Sequence, residues 1–216
     1  MPMTMIVKSL TRMPSRGRVV LFAAAVGVGG LGSSGAALAL DEGANEKDVL
    51  KACERQFCEI AAKKDAAGAD LSCTLTKTWS KTKIVEGIEK KKLAWGFGDA
   101  RCSIDVKAKR AGLVEAVSKP GDQSFEFEPH TIKCQIEREK EVTEIKVTLA
   151  PKIAFKDGKA VKAWLGVKDI EAPTVVKNVI WTAAQIENNF GLFHAEMISE
   201  INELIGQKCP KVMGAN

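Results

Sequence analysis

Between Leu71 and Leu149 apolar and polar residues alternate, and the alternation restarts several times. Leu71, Cys73, Leu75 and Trp79 share one face of the first stretch, opposite Ser72, Thr74, Thr76 and Thr78. Cys102, Ile104 and Val106 repeat the pattern, then Phe125 and Phe127, then Ile132, Cys134 and Ile136, then Ile145, Val147 and Leu149. A period of two puts one face of a strand in a core and the other in water, as antiparallel sheets do. Arg110-Ala111-Gly112, Lys119-Pro120-Gly121-Asp122, Arg138-Glu139-Lys140 and Lys156-Asp157-Gly158-Lys159 read as turns between strands. Asp-Gly is the sharpest of these signals, because a two-residue hairpin turn wants positive φ at both positions. The expectation is a meander of roughly six to eight strands. Lys81 to Leu93 reads as either a short helix or a loop. Leu93, Trp95 and Phe97 read as a strand bent or bulged by its glycines.

On both sides of this region the period becomes helical. Val49, Leu50, Cys53, Phe57 and Ile60 predict a first helix, capped by Asn45 and running to about Lys64. After Pro173, apolar residues recur in steps of three and four from Val176 and Val179 through Ile186 and Phe193 to Leu204. That spacing predicts one long amphipathic helix from Thr174 to Gly206, ending near Cys209-Pro210. At about 1.5 Å per residue it measures roughly 50 Å, longer than a compact domain about 40 Å across. A bend near Asn188-Asn189-Phe190-Gly191, or a curve along the sheet, resolves the excess. A homodimer through a projecting C-terminal helix is the other resolution.

The first 39 residues change the picture. Lys8, Arg12, Arg16 and Arg18 precede an apolar run from Val19 to Leu31, and Ala37-Leu38-Ala39 supplies small residues at −3 and −1. These are the parts of a secretory signal cleaved after Ala39. The run is interrupted by glycines and falls short of the ~20 apolar residues of a membrane span. Residues 1–39 are therefore expected to be removed, leaving 40–216 as one domain with no transmembrane anchor. Taking four basic residues from 32 leaves 28 against 27 acids, a net charge of +1. A nucleic-acid partner, which leaves a basic footprint, loses its support.

Cys53, Cys58, Cys73, Cys102, Cys134 and Cys209 all lie beyond the leader. An even number in an exported chain reads as disulfides, and no Cys-x-x-Cys supports a metal or redox site. Cys53 and Cys58 on one helix are about 7.5 Å apart in rise alone, so they should not bond to each other. Bridges from helices to the sheet are expected, with Cys209 pinning the C-terminal helix.

The fold class that follows is α+β, with an N-terminal helix, an antiparallel meander and a long C-terminal helix packed on the sheet. This arrangement is similar in outline to helix-grip lipid-binding folds. The likeness implies a cavity between the layers, and it is a likeness of architecture alone.

Candidate chemistry is sparse. No nucleophile elbow, zinc-protease or phosphate-loop motif is present, and neither a catalytic residue nor a cofactor is expected. The four tryptophans beside no tyrosine are candidates for an apolar lining: Trp79, Trp95 and Trp164, with Phe97 and Phe193. Trp181 completes the set. His194 lies at the edge of the helical apolar stripe, with Glu187 two turns earlier, and the pair can orient a ligand's polar head. His130 reads as a solvated residue at a strand end. Glu89-Lys90-Lys91-Lys92, with Lys77, Lys81 and Lys83, reads as a solvated surface. The leading functional expectation is an exported soluble binding protein, periplasmic or secreted, enclosing an apolar small molecule or lipid. The alternative is an envelope interaction module (chaperone, inhibitor or assembly factor) using the long helix or a sheet edge. An enzyme is the least supported class.

Overall fold

The computed structural model describes residues 40–89, 94–138, 141–190 and 194–214, with the backbone alone for 186–190. The expected leader, Lys90 to Lys92, the Glu139-Lys140 turn and Phe193 lie outside the described residues.

Helix α1 (Glu46–Lys63) opens the fold. Asn45 stands at its N-cap but, with φ −108° and ψ 2°, its side chain makes no capping bond. Its backbone carbonyl accepts from Asp48 and Val49, and the Glu46 carboxylate takes the Gly43 N–H instead. Strand β1 (Leu71–Trp79) leads into helix α2 (Lys81–Ile88), so the first part of the ambiguous stretch is helical, and residues 90–93 lie outside the described residues. The Ser80 hydroxyl caps it by accepting from Lys83 N–H. Residues 94–99 form no strand. Trp95 Nε1–H donates to Gly98 O and its ring meets Phe97 edge-on, which holds a compact loop that cannot extend.

Strand β2 (Ala100–Ala108) is followed by helix α3 (Arg110–Ser118), where the sequence suggested a turn. Asp70, from a distant loop, accepts the Arg110 N–H and starts this helix. Gly112 is not a breaker here: a Cβ would lie 2.9 Å from the Phe125 ring, so glycine permits close packing. Strands β3 (Asp122–Glu126), β4 (His130–Arg138), β5 (Glu141–Leu149), β6 (Lys152–Lys156), β7 (Lys159–Trp164) and β8 (Val167–Glu171) complete the eight, all paired antiparallel. The Asp-Gly turn closes the β6–β7 hairpin as expected, with φ 51° at Asp157 and 76° at Gly158.

The strands form two sheets rather than one meander. Five assemble in the order β1-β2-β4-β5-β8 and three in the order β3-β6-β7. Pro151, which has no N–H to donate, stands where β5 gives way to β6. Ala150 N–H bonds Gly166 O, bringing the chain back so that β8 rejoins β5.

The predicted long helix is described on both sides of residues 191–193, which lie outside the described residues together with the end of the expected bend. α4 (Thr174–Phe190) follows β8, and α5 (His194–Glu203) packs on β7. The chain then continues through a wider π-helical segment, Leu204–Lys208, into helix α6 (Cys209–Gly214), past the expected stop. Cys209 N–H reaches Leu204 O, and this loosened turn accommodates Pro210, which lacks an N–H.

All six cysteines are paired. Cys53–Cys73 joins α1 to β1, Cys58–Cys209 joins α1 to α6, and Cys102–Cys134 joins directly opposed residues of β2 and β4. Only the first is the helix-to-sheet bridge expected, because the second cysteine of α1 faces another helix and the central strands bring two dry-face cysteines together. Three disulfides are the state of a chain that folds in an oxidising compartment. Among the described residues, no helix is long and apolar enough to cross a membrane.

Candidate functional site: an apolar cavity beneath α4

One face of the five-stranded sheet carries two different packings. At the Leu71 end, Leu71 and Ala108 meet Ile60 of α1, Leu113 of α3, Phe125 and Phe155 of the small sheet, and Ile198 and Ile201 of α5. That half is solid. Toward Trp79 the face carries Ala100, Cys134, Ile136 and Ile145, with Ile84 and Ile88 of α2 and Val176 of α4. Here a cavity of about 450 Å³ opens between sheet and helix. Its floor comes from β1, β2, β4 and β5, its flank from Ile84, Ile88, Ala94 and Trp95, and its roof from Val179, Ile180, Ala183 and Ala184.

The hollow has a local cause. Val176, 0% exposed, anchors the start of α4, but Ala183 and Ala184 fill little volume about two turns later. Small side chains on the helix therefore face medium-sized ones on the sheet, and the layers do not close. Such a space, of a few hundred Å³ with an almost wholly apolar wall, suits a small apolar ligand.

Of the residues proposed from sequence, Trp79 and Trp95 line the cavity, as does the Cys102–Cys134 bridge. Phe97 stands behind Trp95, edge-on at 5.1 Å, and contributes no lining. Trp164 lies elsewhere, with the Lys162 ammonium over its ring at 4.8 Å and the His194 ring beside it at 6.4 Å. His194 Nδ1 lies 2.8 Å from Ala163 O; the carbonyl can only accept, so the imidazole donates. It does so together with Asn202, whose side-chain amide bonds both the N–H and the C=O of Ala160 at 2.9 Å. These residues cover the open edge of β7, a protection exposed edges need. The Glu187 side chain lies outside the described residues.

His130 is not the solvated residue expected. It is buried, its Nδ1–H donates to Glu128 O, and its Nε2 accepts the Lys107 N–H. β4 starts against β2 here, so the imidazole finds backbone partners in place of water.

Sequence reading missed the one ionisable group that the described residues place in the cavity wall. Lys77 stands between Leu75 and Trp79 on the dry face and is 7% exposed, not part of a solvated basic patch. The signal was its phase in the alternation. Its ammonium lies 2.7 Å from Glu42 Oε1 and 3.7 Å from Glu46 Oε2. Burial works to raise the Glu46 pKa, but hydrogen bonds from the Thr78 hydroxyl, the Gly43 and Thr78 N–H groups, and the Lys77 charge together lower it. Arg101 donates from Nε to the Thr78 hydroxyl and from Nη2 to Asp41 O. The Trp79 indole N–H is covered and has no hydrogen-bond partner among the described residues.

Among the described residues, no group of three or more His, Cys, Asp or Glu side chains is placed to hold a metal, and no cysteine is free. No protein-family model, curated protein or solved structure matches this chain, so its chemistry rests on its own residues.

Proposed function

We propose that this chain is an exported binding protein of the periplasm or extracellular space that encloses an apolar small molecule between the five-stranded sheet and α4. One observation carries the reading: the apolar cavity of about 450 Å³. A domain that already needs burial for stability leaves such a void only at a cost, since each missing contact weakens the core. A ligand that fills the space restores those contacts. The three disulfides support export, because they hold the frame around the void in an oxidising compartment.

Native mass spectrometry on protein purified from its own export compartment tests this. An added mass of a small molecule, displaced in an Ala183→Leu variant, is the expected result. Unliganded protein whose melting temperature does not respond to any apolar compound ends the reading.

Val175 (61% exposed) and Trp181 (43%) on α4 favour a second reading, an interaction module presenting this helix to a protein partner. Light scattering on the mature chain separates the two. A monomer at every concentration, unchanged by Trp181→Lys, leaves self-association without support.

A further inference from the structure

The inference deepens the binding reading, on which it rests, by naming the class of molecule the cavity accepts. Among the described residues the wall is apolar except for Lys77, and a lysine in a greasy pocket suggests at first sight a partner for a ligand carboxylate. The charges around it argue otherwise. The ammonium already has Glu42 at 2.7 Å and Glu46 at 3.7 Å, and the exposed Lys47 ammonium lies 3.9 Å from the other Glu42 oxygen. Glu46 is itself buried and held in its charged form by the Thr78 hydroxyl and two backbone N–H groups. Arg101 balances the set through Thr78 and Asp41 O, on the other side of β1 from the ammonium.

A ligand carboxylate entering the cavity leaves its water behind and finds the Lys77 ammonium already paired with two carboxylates. Desolvation disfavours it, and no unpaired ammonium among the described lining residues repays the loss. An uncharged chain meets neither penalty. Space of about 450 Å³ holds on the order of 15 water-sized groups at ~30 Å³ each, which is the bulk of a medium-length aliphatic chain.

We propose that the cavity selects uncharged aliphatic molecules, such as neutral esters and alcohols, and rejects the corresponding acids through the Glu42–Lys77–Glu46 group. Glu42 and Glu46 are then specificity determinants that act without lining the cavity themselves.

The test uses the mature, disulfide-bonded chain and three matched probes: methyl laurate, lauryl alcohol and laurate, each below its micelle concentration. Affinities are read by displacement of an apolar fluorescent dye. At pH 8 the ester and the alcohol should bind at least tenfold more tightly than laurate. As pH falls through the acid's own titration range, laurate should approach the alcohol while the ester changes little. Glu42→Gln should narrow the ester-to-laurate ratio at least fivefold, because it frees the ammonium for a ligand anion. Laurate binding as tightly as its ester at pH 8 overturns the selection rule while keeping the cavity. Failure of the dye and all three probes to bind removes the binding reading itself. The wild-type pH series keeps the proposal falsifiable if Glu42→Gln does not fold.

Discussion

The two halves of the five-stranded sheet differ in what covers the same face. At the Leu71 end α1, α3, α5 and the small sheet converge, and two disulfides, Cys53–Cys73 and Cys58–Cys209, tie α1 to β1 and to α6. At the Trp79 end α4 stands over the strands with Ala183 and Ala184 facing inward, and the only disulfide runs between two strands of the floor. The sheet's own side chains are much alike in both halves. Packing density is therefore decided by the covering elements, and the half that is clamped from above is the more solid one. The half that is not clamped has the larger and more apolar space, about 450 Å³ against about 220 Å³.

The largest expected effect strikes the clamp. Replacing Cys58 and Cys209 together by Ala opens a link across 151 residues of sequence and should cost about 4–5 kcal/mol in urea unfolding. Replacing Cys102 and Cys134, 32 residues apart, should cost about 3–4 kcal/mol. Equal losses would mean that the solid half owes nothing special to its long-range bond.

A sharper comparison uses one substitution in both halves. Ala116→Leu, in the solid half, should destabilise by about 1–3 kcal/mol through overpacking. Ala183→Leu, over the cavity, should be neutral or stabilise by up to ~1 kcal/mol. Similar losses at the two positions would show that the void closes in solution.

Glu46 links the halves, because α1 begins beside Lys77. Its folded pKa lies below the ordinary value of 4.5, so it stabilises the fold fully above that value. The contribution fades as pH falls through the depressed folded value. Glu46→Gln should cost about 2 kcal/mol at neutral pH and flatten the acid limb of the stability curve. An unchanged acid limb would place the pH dependence elsewhere.

The smallest effect concerns the β7 edge. Asn202→Leu leaves the Ala160 N–H and C=O without their side-chain partner and should cost about 1–2 kcal/mol. Light scattering should also register association through the uncovered strand.

Much of this was legible in the chain. Alternation along Leu71–Trp79 placed the dry face correctly, and the Asp157-Gly158 turn appeared where its positive φ values demanded. The helical steps of α1, α4 and α5 were visible too, as was the prohibition on a Cys53–Cys58 bond. These are short-range consequences of backbone geometry, in which a residue's neighbours two to four positions away decide its direction. Lys77 was visible only as an odd member of an apolar row. Trp164 was grouped with Trp79 by residue type, although its place in the fold is separate, and Phe97 packs on the same cluster as Trp79 without lining the cavity.

Tertiary structure alone decided which helix covers which half-sheet, which cysteines meet, and whether the layers close. Volume between layers is a sum over side chains from elements far apart in sequence, such as Leu75 below and Ala183 above. No local pattern carries that sum. The charge balance at Lys77 has the same origin, since Glu42, Glu46 and Arg101 reach it only after the sheet has formed and α1 has docked.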